Sequence, residues 1–325
     1  MRIRLTQVFV AVLLPAIGTI WLPSAAAQEY PNRAIRFVVP YGTGGQTDVT
    51  TRVIAKKLSD MLGVPTVVDN RPGGAAIPGT EHGAKSAPDG YTVTNGDPGP
   101  LAINPAIYSK LPYDPVKDFA PVTVAASTPL FLAVNSNLPV KSIRELVDYA
   151  KATPGLNFGS IGNGSVHHLG LELFKLVAGV NLTHIPYKGI GQAVPALVTG
   201  DVALVISAYS TLKPHVDAGK VRLLAAVNQR STVLPDVPTI AEAGLPGFEM
   251  KPKSGYLLPA GTPRPIVEKL NAAMRTALAS PDVVQALAGL SIVAESSTPE
   301  QYAELIRQDL QLYARLIKAS GLKVD

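Results

Sequence analysis

Two stretches of the chain share one design: Val39-Pro40-Tyr41-Gly42-Thr43-Gly44-Gly45-Gln46-Thr47-Asp48, and Phe158-Gly159-Ser160-Ile161-Gly162-Asn163-Gly164-Ser165. In each, a β-rich run enters a glycine-rich turn and leaves it as a helix. Glycine tolerates positive φ and lets a ligand approach the backbone closely. A helix start leaves several N–H groups unpaired and carries a partial positive charge. At the carboxyl end of a parallel strand such a turn binds anions, and two of them predict two lobes whose turns face each other across a cleft. A carboxylate is the natural guest for neutral N–H and hydroxyl donors. Neither stretch has the P-loop lysine or spells G-x-G-x-x-G with an acidic residue about 20 positions on, which disfavours nucleotides. The competing reading is a tight strand-to-helix connection, with Asp48 capping or charging the first turn of its helix.

Outward from these turns the pattern alternates. In the first half, strands are expected over 35–39, 66–68 and 91–94, with helices over 49–62 and 75–87; Val49, Val53, Leu58 and Leu62 share one helical face. The second half offers a β-rich segment over 121–135, then strands over 156–160, 184–186, 202–206 and 221–227. Helices over 142–153, 166–178 and 192–199 lie between them. This is the pattern of mostly parallel sheets covered on both faces. Helices expected over 266–279, 282–290 and 299–319 have too little strand between them for another sheet, so they should return to the first lobe. Segments near 121–135 and 248–258 are then the two crossovers of a hinge.

Composition sets the outer limits. The chain has 325 residues, 46% hydrophobic and only 16% charged, with no cysteine. That length supplies one large or two moderate domains, and the composition is globular rather than disordered. Without cysteine there is no disulfide, thiolate metal site, cysteine nucleophile or lipid attached at an N-terminal cysteine. The five histidines show no i, i+4 pair and no H-E-x-x-H, so no metal and no cofactor are expected.

Arg2 and Arg4 precede a charge-free run from Leu5 to Gln28 that ends in Ala25, Ala26 and Ala27. That is the form of a secretory signal peptide cleaved after Ala27; Pro15, Gly18 and Thr19 interrupt the run and argue against a retained anchor. Cleavage lowers the net charge from +5 to +3 because two arginines leave. No basic cluster with interleaved aromatics remains to indicate nucleic acid. The expected protein is exported to the periplasm, without a lipid anchor.

Signs of an enzyme are thin. G-x-S-x-G is absent, and adjacent His167 and His168 point in different directions on a helix with no orienting carboxylate at a telling spacing. His167, at its helix start, is a candidate ligand contact or a plain helix-terminal polar residue, and His168 is expected to cover the lobe surface. A third turn, Asn95-Gly96-Asp97-Pro98-Gly99-Pro100, could line the cleft through Asn95 or simply turn. On the residues alone, a receptor for a sensor or another transporter class, and an exported hydrolase, stay open.

A set of motifs runs in order along the chain: Tyr30-Pro31-Asn32-Arg33-Ala34-Ile35-Arg36-Phe37-Val38-Val39-Pro40, Asn70-Arg71-Pro72-Gly73, Ala87-Pro88-Asp89-Gly90-Tyr91-Thr92, and Leu111-Pro112-Tyr113-Asp114-Pro115 with Asp118-Phe119. His184-Ile185-Pro186-Tyr187-Lys188-Gly189, Leu234-Pro235-Asp236-Val237-Pro238-Thr239, Glu242-Ala243-Gly244-Leu245-Pro246-Gly247 and Pro259-Ala260-Gly261-Thr262-Pro263 follow. Together they resemble the Bug family, extracytoplasmic substrate-binding proteins of tripartite tricarboxylate transporters.

The resemblance implies an α/β type II periplasmic-binding-protein fold: two doubly wound lobes, a two-segment hinge and membrane transporter subunits as partners. Lobe 1 would comprise 28–125 plus 251–325, and lobe 2 would comprise 126–250. It implies a small organic anion, a carboxylate, held by both glycine turns, partly through waters. The matching positions are Tyr41, Thr43, Gly44 and Gly45 in the first turn, with Gln46 adjoining, and Ser160, Gly162, Gly164 and Ser165 in the second, which also holds Asn163. Tyr187 and Lys188 match the family's Pro-Tyr-Lys-Gly turn, where Lys188 is either a pocket contact or a rim cation. Ser207 lies just beyond the 202–206 strand, within reach of the ligand's far end. Two departures stand out: Tyr41-Gly42-Thr43-Gly44-Gly45 replaces the usual Phe-Ala-Pro-Gly-Gly, adding two hydroxyls, and Lys253 stands at the usual tryptophan.

Overall fold

Ile35, Phe37, Val38 and Val39 are fully buried beside an exposed Arg36, the signature of a strand inside a sheet covered on both faces. The computed structural model describes residues 30–227, 229–231, 234–250 and 252–321. The expected signal peptide therefore lies outside the described residues. The strands are β1 (Ile35–Val39), β2 (Thr66–Asn70), β3 (Thr92–Gly96), β4 (Phe119–Ser127), β5 (Leu130–Asn135), β6 (Leu156–Ser160), β7 (Leu182–Pro186), β8 (Leu204–Ala208), β9 (Val221–Ala226), β10 (Lys253–Pro259) and β11 (Val293–Ala294). Between them run α1 (Gln46–Leu62), α2 (Ile77–Ala84), α3 (Asn104–Ile107), α4 (Ile143–Ala152), α5 (Val166–Ala178), α6 (Ile190–Thr199), α7 (Tyr209–Asp217), α8 (Arg264–Ala279), α9 (Pro281–Ala288) and α10 (Pro299–Ser320).

Two sheets result, ordered β11-β4-β10-β3-β1-β2 and β7-β6-β8-β5-β9, giving a two-lobed α/β fold. The expectation of mostly parallel sheets holds within β1, β2 and β3, and within β6, β7 and β8. It fails for β4, β5, β9, β10 and β11, which pair antiparallel. The β-rich segment over 121–135 is in fact two strands in different sheets, separated by Thr128 and Pro129. The return runs between Met250, whose side chain belongs to the second core, and Lys253 at the head of β10.

Helix α1 docks through Thr51, Ile54, Ala55 and Leu58. That face is rotated from the one expected, because Val49, Val53 and Leu62 are only half-buried. Asn271 on α8 ties the helix to the sheet by donating to the Val122 and Ser297 carbonyls at 2.7 and 2.8 Å. Helix α10 starts under a Thr298 capping box, and Tyr302 and Ile306 enter the core beside β10. Tyr313, Leu316 and Ile317, farther along, pack with Phe158, Phe174 and Met250 in the second core. One helix thus touches both lobes.

Candidate functional site

The carboxyl ends of β1 and β6 both open onto a cavity of about 1090 Å³ between the sheets, with Ser207 and Ala208 of β8 also in its wall. The first turn takes positive φ at Gly44 (80°), and the second at Gly162 (120°) and Gly164 (72°), conformations that a side chain would strain. Many loop amides are already used. Gly44 N–H donates to Asp48 Oδ2 at 2.8 Å, Gly162 N–H to Ser160 Oγ at 3.1 Å and Gly164 N–H to His168 Nδ1 at 3.1 Å. The glycines shape the turns, and helix positions supply the donors. Gln46 and Thr47 open α1, Val166 and His167 open α5, and all four line the cavity, where first-turn amides have no acceptor within their own helix.

Asp48 is buried beneath its turn, where it also accepts from Arg52 and Asn70. Burial alone would raise its carboxyl; the hydrogen bonds from Arg52, Gly44 and Asn70 bring it below the ordinary value. Ser165 caps α5 by accepting from His168 N–H at 3.2 Å and donates to the Gly162 carbonyl at 2.8 Å. His168 is not a surface residue as expected but is 4% exposed, its ring stacked 3.8 Å from His184 at 11°. It is a core residue that holds the turn, since its ring nitrogen receives the Gly164 amide.

Of the residues nominated from sequence, Tyr41, Gln46, Asn163, Gly164, Ser165, His167 and Ser207 line the cavity. Thr43, Gly44, Gly45, Asn95, Ser160, Gly162, Tyr187 and Lys188 are absent from its wall. Thr43 is solvent-exposed, as is Lys188, while Tyr187 is half-buried and takes its place by donating its amide to the Ser160 carbonyl at 3.1 Å. Asn95 is fully buried, its amide group without a partner among the described residues. Ser160 Oγ lies 2.6 Å from His184 Nε2, a nucleophile-to-base spacing, yet Ser160 is 1% exposed and outside the cavity. That contact anchors the second turn.

Two polar groups of the wall are left unpaired. Ser207 Oγ and His167 Nδ1 are buried and have no hydrogen-bond partner among the described residues. Burial pushes the His167 imidazole down to about 4, so it is neutral at pH 7 and has one donor and one acceptor nitrogen. Tyr41 is less available, since its hydroxyl donates to Asp97 Oδ1 at 2.9 Å. Burial raises the Asp97 carboxyl against the bonds from Tyr41 and Gly99. Gln46 reaches the Thr128 hydroxyl, at the crossing between lobes. Ile103, Ile107, Leu130, Ile161 and Ile190 make part of the wall apolar.

Sequence reasoning did not nominate Thr47, Thr50, Asn104, Ser127, Thr211 or Lys253 as contacts, though all line the cavity. Their nearness depends on how the lobes meet. No helix among the described residues is long and apolar enough to cross a membrane, and no acid or histidine cluster there could hold a metal ion.

Comparison with known proteins agrees with this architecture. The chain is 38% identical over 302 residues to the protein BugT of Bordetella pertussis, covering 92% of this chain and 93% of BugT. Among solved structures, Rpa4515 of Rhodopseudomonas palustris with adipate superposes with a TM-score of 0.76 at 36% identity, covering 91% of this chain and 99% of that one. MatC from the same organism, with bound malate, gives 0.72 at 34%, covering 89% and 100%. The sequence profile of the tripartite tricarboxylate transporter family receptor matches residues 50–322, and the chain belongs to that family of periplasmic solute-binding proteins.

Proposed function

We propose that this protein, exported to the periplasm through a signal peptide cleaved after Ala27, captures a small carboxylate between its lobes and delivers it to the membrane subunits of a tripartite tricarboxylate transporter. The observation that carries the reading is the convergence on one cavity of two helix starts, α1 and α5, with the unpartnered Ser207 Oγ and His167 Nδ1 beside them. The adipate and malate held by its relatives support a carboxylate as the ligand class. The two lobes divide at the crossings near Thr128 and Pro252, a few residues from the 125/126 and 250/251 boundaries expected from the sequence because β4 runs on to Ser127 in the first sheet, and the end of α10 reaches across. Ligand first meets the α1 start, and lobe 2 then closes through the crossings near Thr128 and Pro252; contacts made only in the closed form drive closure. The protein binds without catalysis.

A thermal-shift screen of di- and tricarboxylates, aromatic acids and acidic amino acids on the mature protein tests this. A true ligand at a hundredfold excess over Kd stabilises the fold by about 2.7 kcal/mol. Absence of a shift with every carboxylate overturns the proposal. Uptake of the identified ligand by membranes containing the transporter subunits, only when this protein is added, tests delivery.

A further inference from the structure

We infer that Lys253 makes the cavity selective for ligands with two anionic groups, one at the helix starts and the other at the Lys253 ammonium. This rests on the carboxylate reading above and extends it to a substrate class. Among the described residues, Lys253 is the only lysine or arginine in the cavity wall. Asp97 is the only carboxylate there, and its Oδ1 is occupied by Tyr41 and Gly99. Lys253 heads β10, opposite Ser127 of β4, so it stands on the hinge wall, on a different element from either helix start. A ligand long enough to touch both meets two separate attractions.

The partner of Lys253 makes it recruitable. Its ammonium donates to Glu295 Oε2, which accounts for one of its three donors. Glu295 is held independently: its backbone N–H donates to the Ala125 carbonyl at 3.0 Å, and its Oε1 accepts from the Ser127 hydroxyl. Ser127 Oγ in turn accepts from Gln229 at 3.1 Å. When the flexible lysine turns toward a ligand, Glu295 keeps these partners. A monoanion seated at the helix starts leaves the ammonium on Glu295 and gains little from it. A second carboxylate shares the ammonium and gains a charge-assisted bond in a partly desolvated wall.

Calorimetric titration with succinate, glutarate and adipate, each beside its own monoamide, provides the test, because the monoamide keeps the shape and removes one charge. For the best-fitting length the parent protein is expected to prefer the diacid by about ten- to a hundredfold, the range for a hydrogen bond to a charged group. Lys253→Met should bring that ratio close to one, and Glu295→Gln, which releases the ammonium, should widen it. An unchanged ratio in Lys253→Met, or a narrowed one in Glu295→Gln, overturns the inference; if the methionine variant does not fold, the glutamine variant alone decides. Equal binding of diacid and monoamide by the parent removes the selectivity while leaving the carboxylate reading intact. Binding of neither by the parent overturns the inference, and the wider carboxylate screen then decides the underlying reading on its own.

Discussion

Replacing Ser165 by aspartate separates the two roles that this residue combines. Its hydroxyl accepts the His168 amide at 3.2 Å and donates to the Gly162 carbonyl at 2.8 Å. Aspartate caps a helix as well as serine does and gains about 0.3–1 kcal/mol from the helix dipole. It cannot donate to Gly162, which costs about 1 kcal/mol. The stability of Ser165→Asp should therefore lie within about 1 kcal/mol of the parent, read from urea midpoints. Affinity should behave differently. A ligand carboxylate at the α5 start would lie about 4 Å from the new charge, and at an effective dielectric of about 20 the repulsion is about 4 kcal/mol, roughly a thousandfold in Kd. Ser165→Asn keeps the cap without the charge and should retain most of the affinity. Calorimetry on parent, Asp and Asn proteins completes the comparison. If the aspartate variant binds a carboxylate within about threefold of the parent while remaining folded, no anion sits at the α5 start, and the argument from paired helix termini is refuted.

Two further perturbations test the framework. The His167 imidazole is lowered by burial from 6.5 to about 4, so between those values the unfolded chain binds a proton that the folded chain does not. Stability is full above pH 6.5 and falls toward pH 4, with this residue contributing up to about 1.4 kcal/mol per pH unit. His184, also lowered to about 4 chiefly by burial, adds to the same fall. His167→Gln should make the decline shallower in denaturant titrations across that window and weaken carboxylate binding at pH 7; an identical slope would contradict the burial argument. Gly255→Ala would place a Cβ 2.4 Å from the Thr123 carbonyl and 2.6 Å from the Tyr302 ring, and the backbone contact cannot yield cheaply. A loss of about 3 kcal/mol is expected, and an unchanged melting temperature would show that β10 and β4 are not packed as described.

Much of this protein was legible in one dimension because its signals are local. The strand, glycine turn and helix sequences at Val39–Asp48 and Phe158–Ser165 specify their own geometry, since positive φ at Gly44, Gly162 and Gly164 and a helix start behind them are properties of neighbouring residues. From those repeats follow two lobes and a cleft, and the ordered motifs led to the family. Local reading missed α7, a nine-residue helix whose only buried residue is Leu212, so no apolar stripe marks it in the sequence. It also misplaced His168, because adjacency on a helix says nothing about which face another strand covers. In fact His184 arrives from β7 to stack upon it.

What only the folded chain decided is how distant residues meet. Which loop amides remain for a ligand depends on whether Asp48 and His168 have already claimed them, and that is a matter of side-chain direction in space. Lys253 reads along the chain as a substitution before a proline-rich segment; it becomes a cavity cation only because β10 returns between β3 and β4 and sets it beside Glu295. The end of α10 joins the second core for the same reason: burying Tyr313, Leu316 and Ile317 requires a surface that residues far away in sequence provide. Local geometry is written in neighbouring residues, whereas a binding site formed where two sheets face each other exists only after both have been assembled.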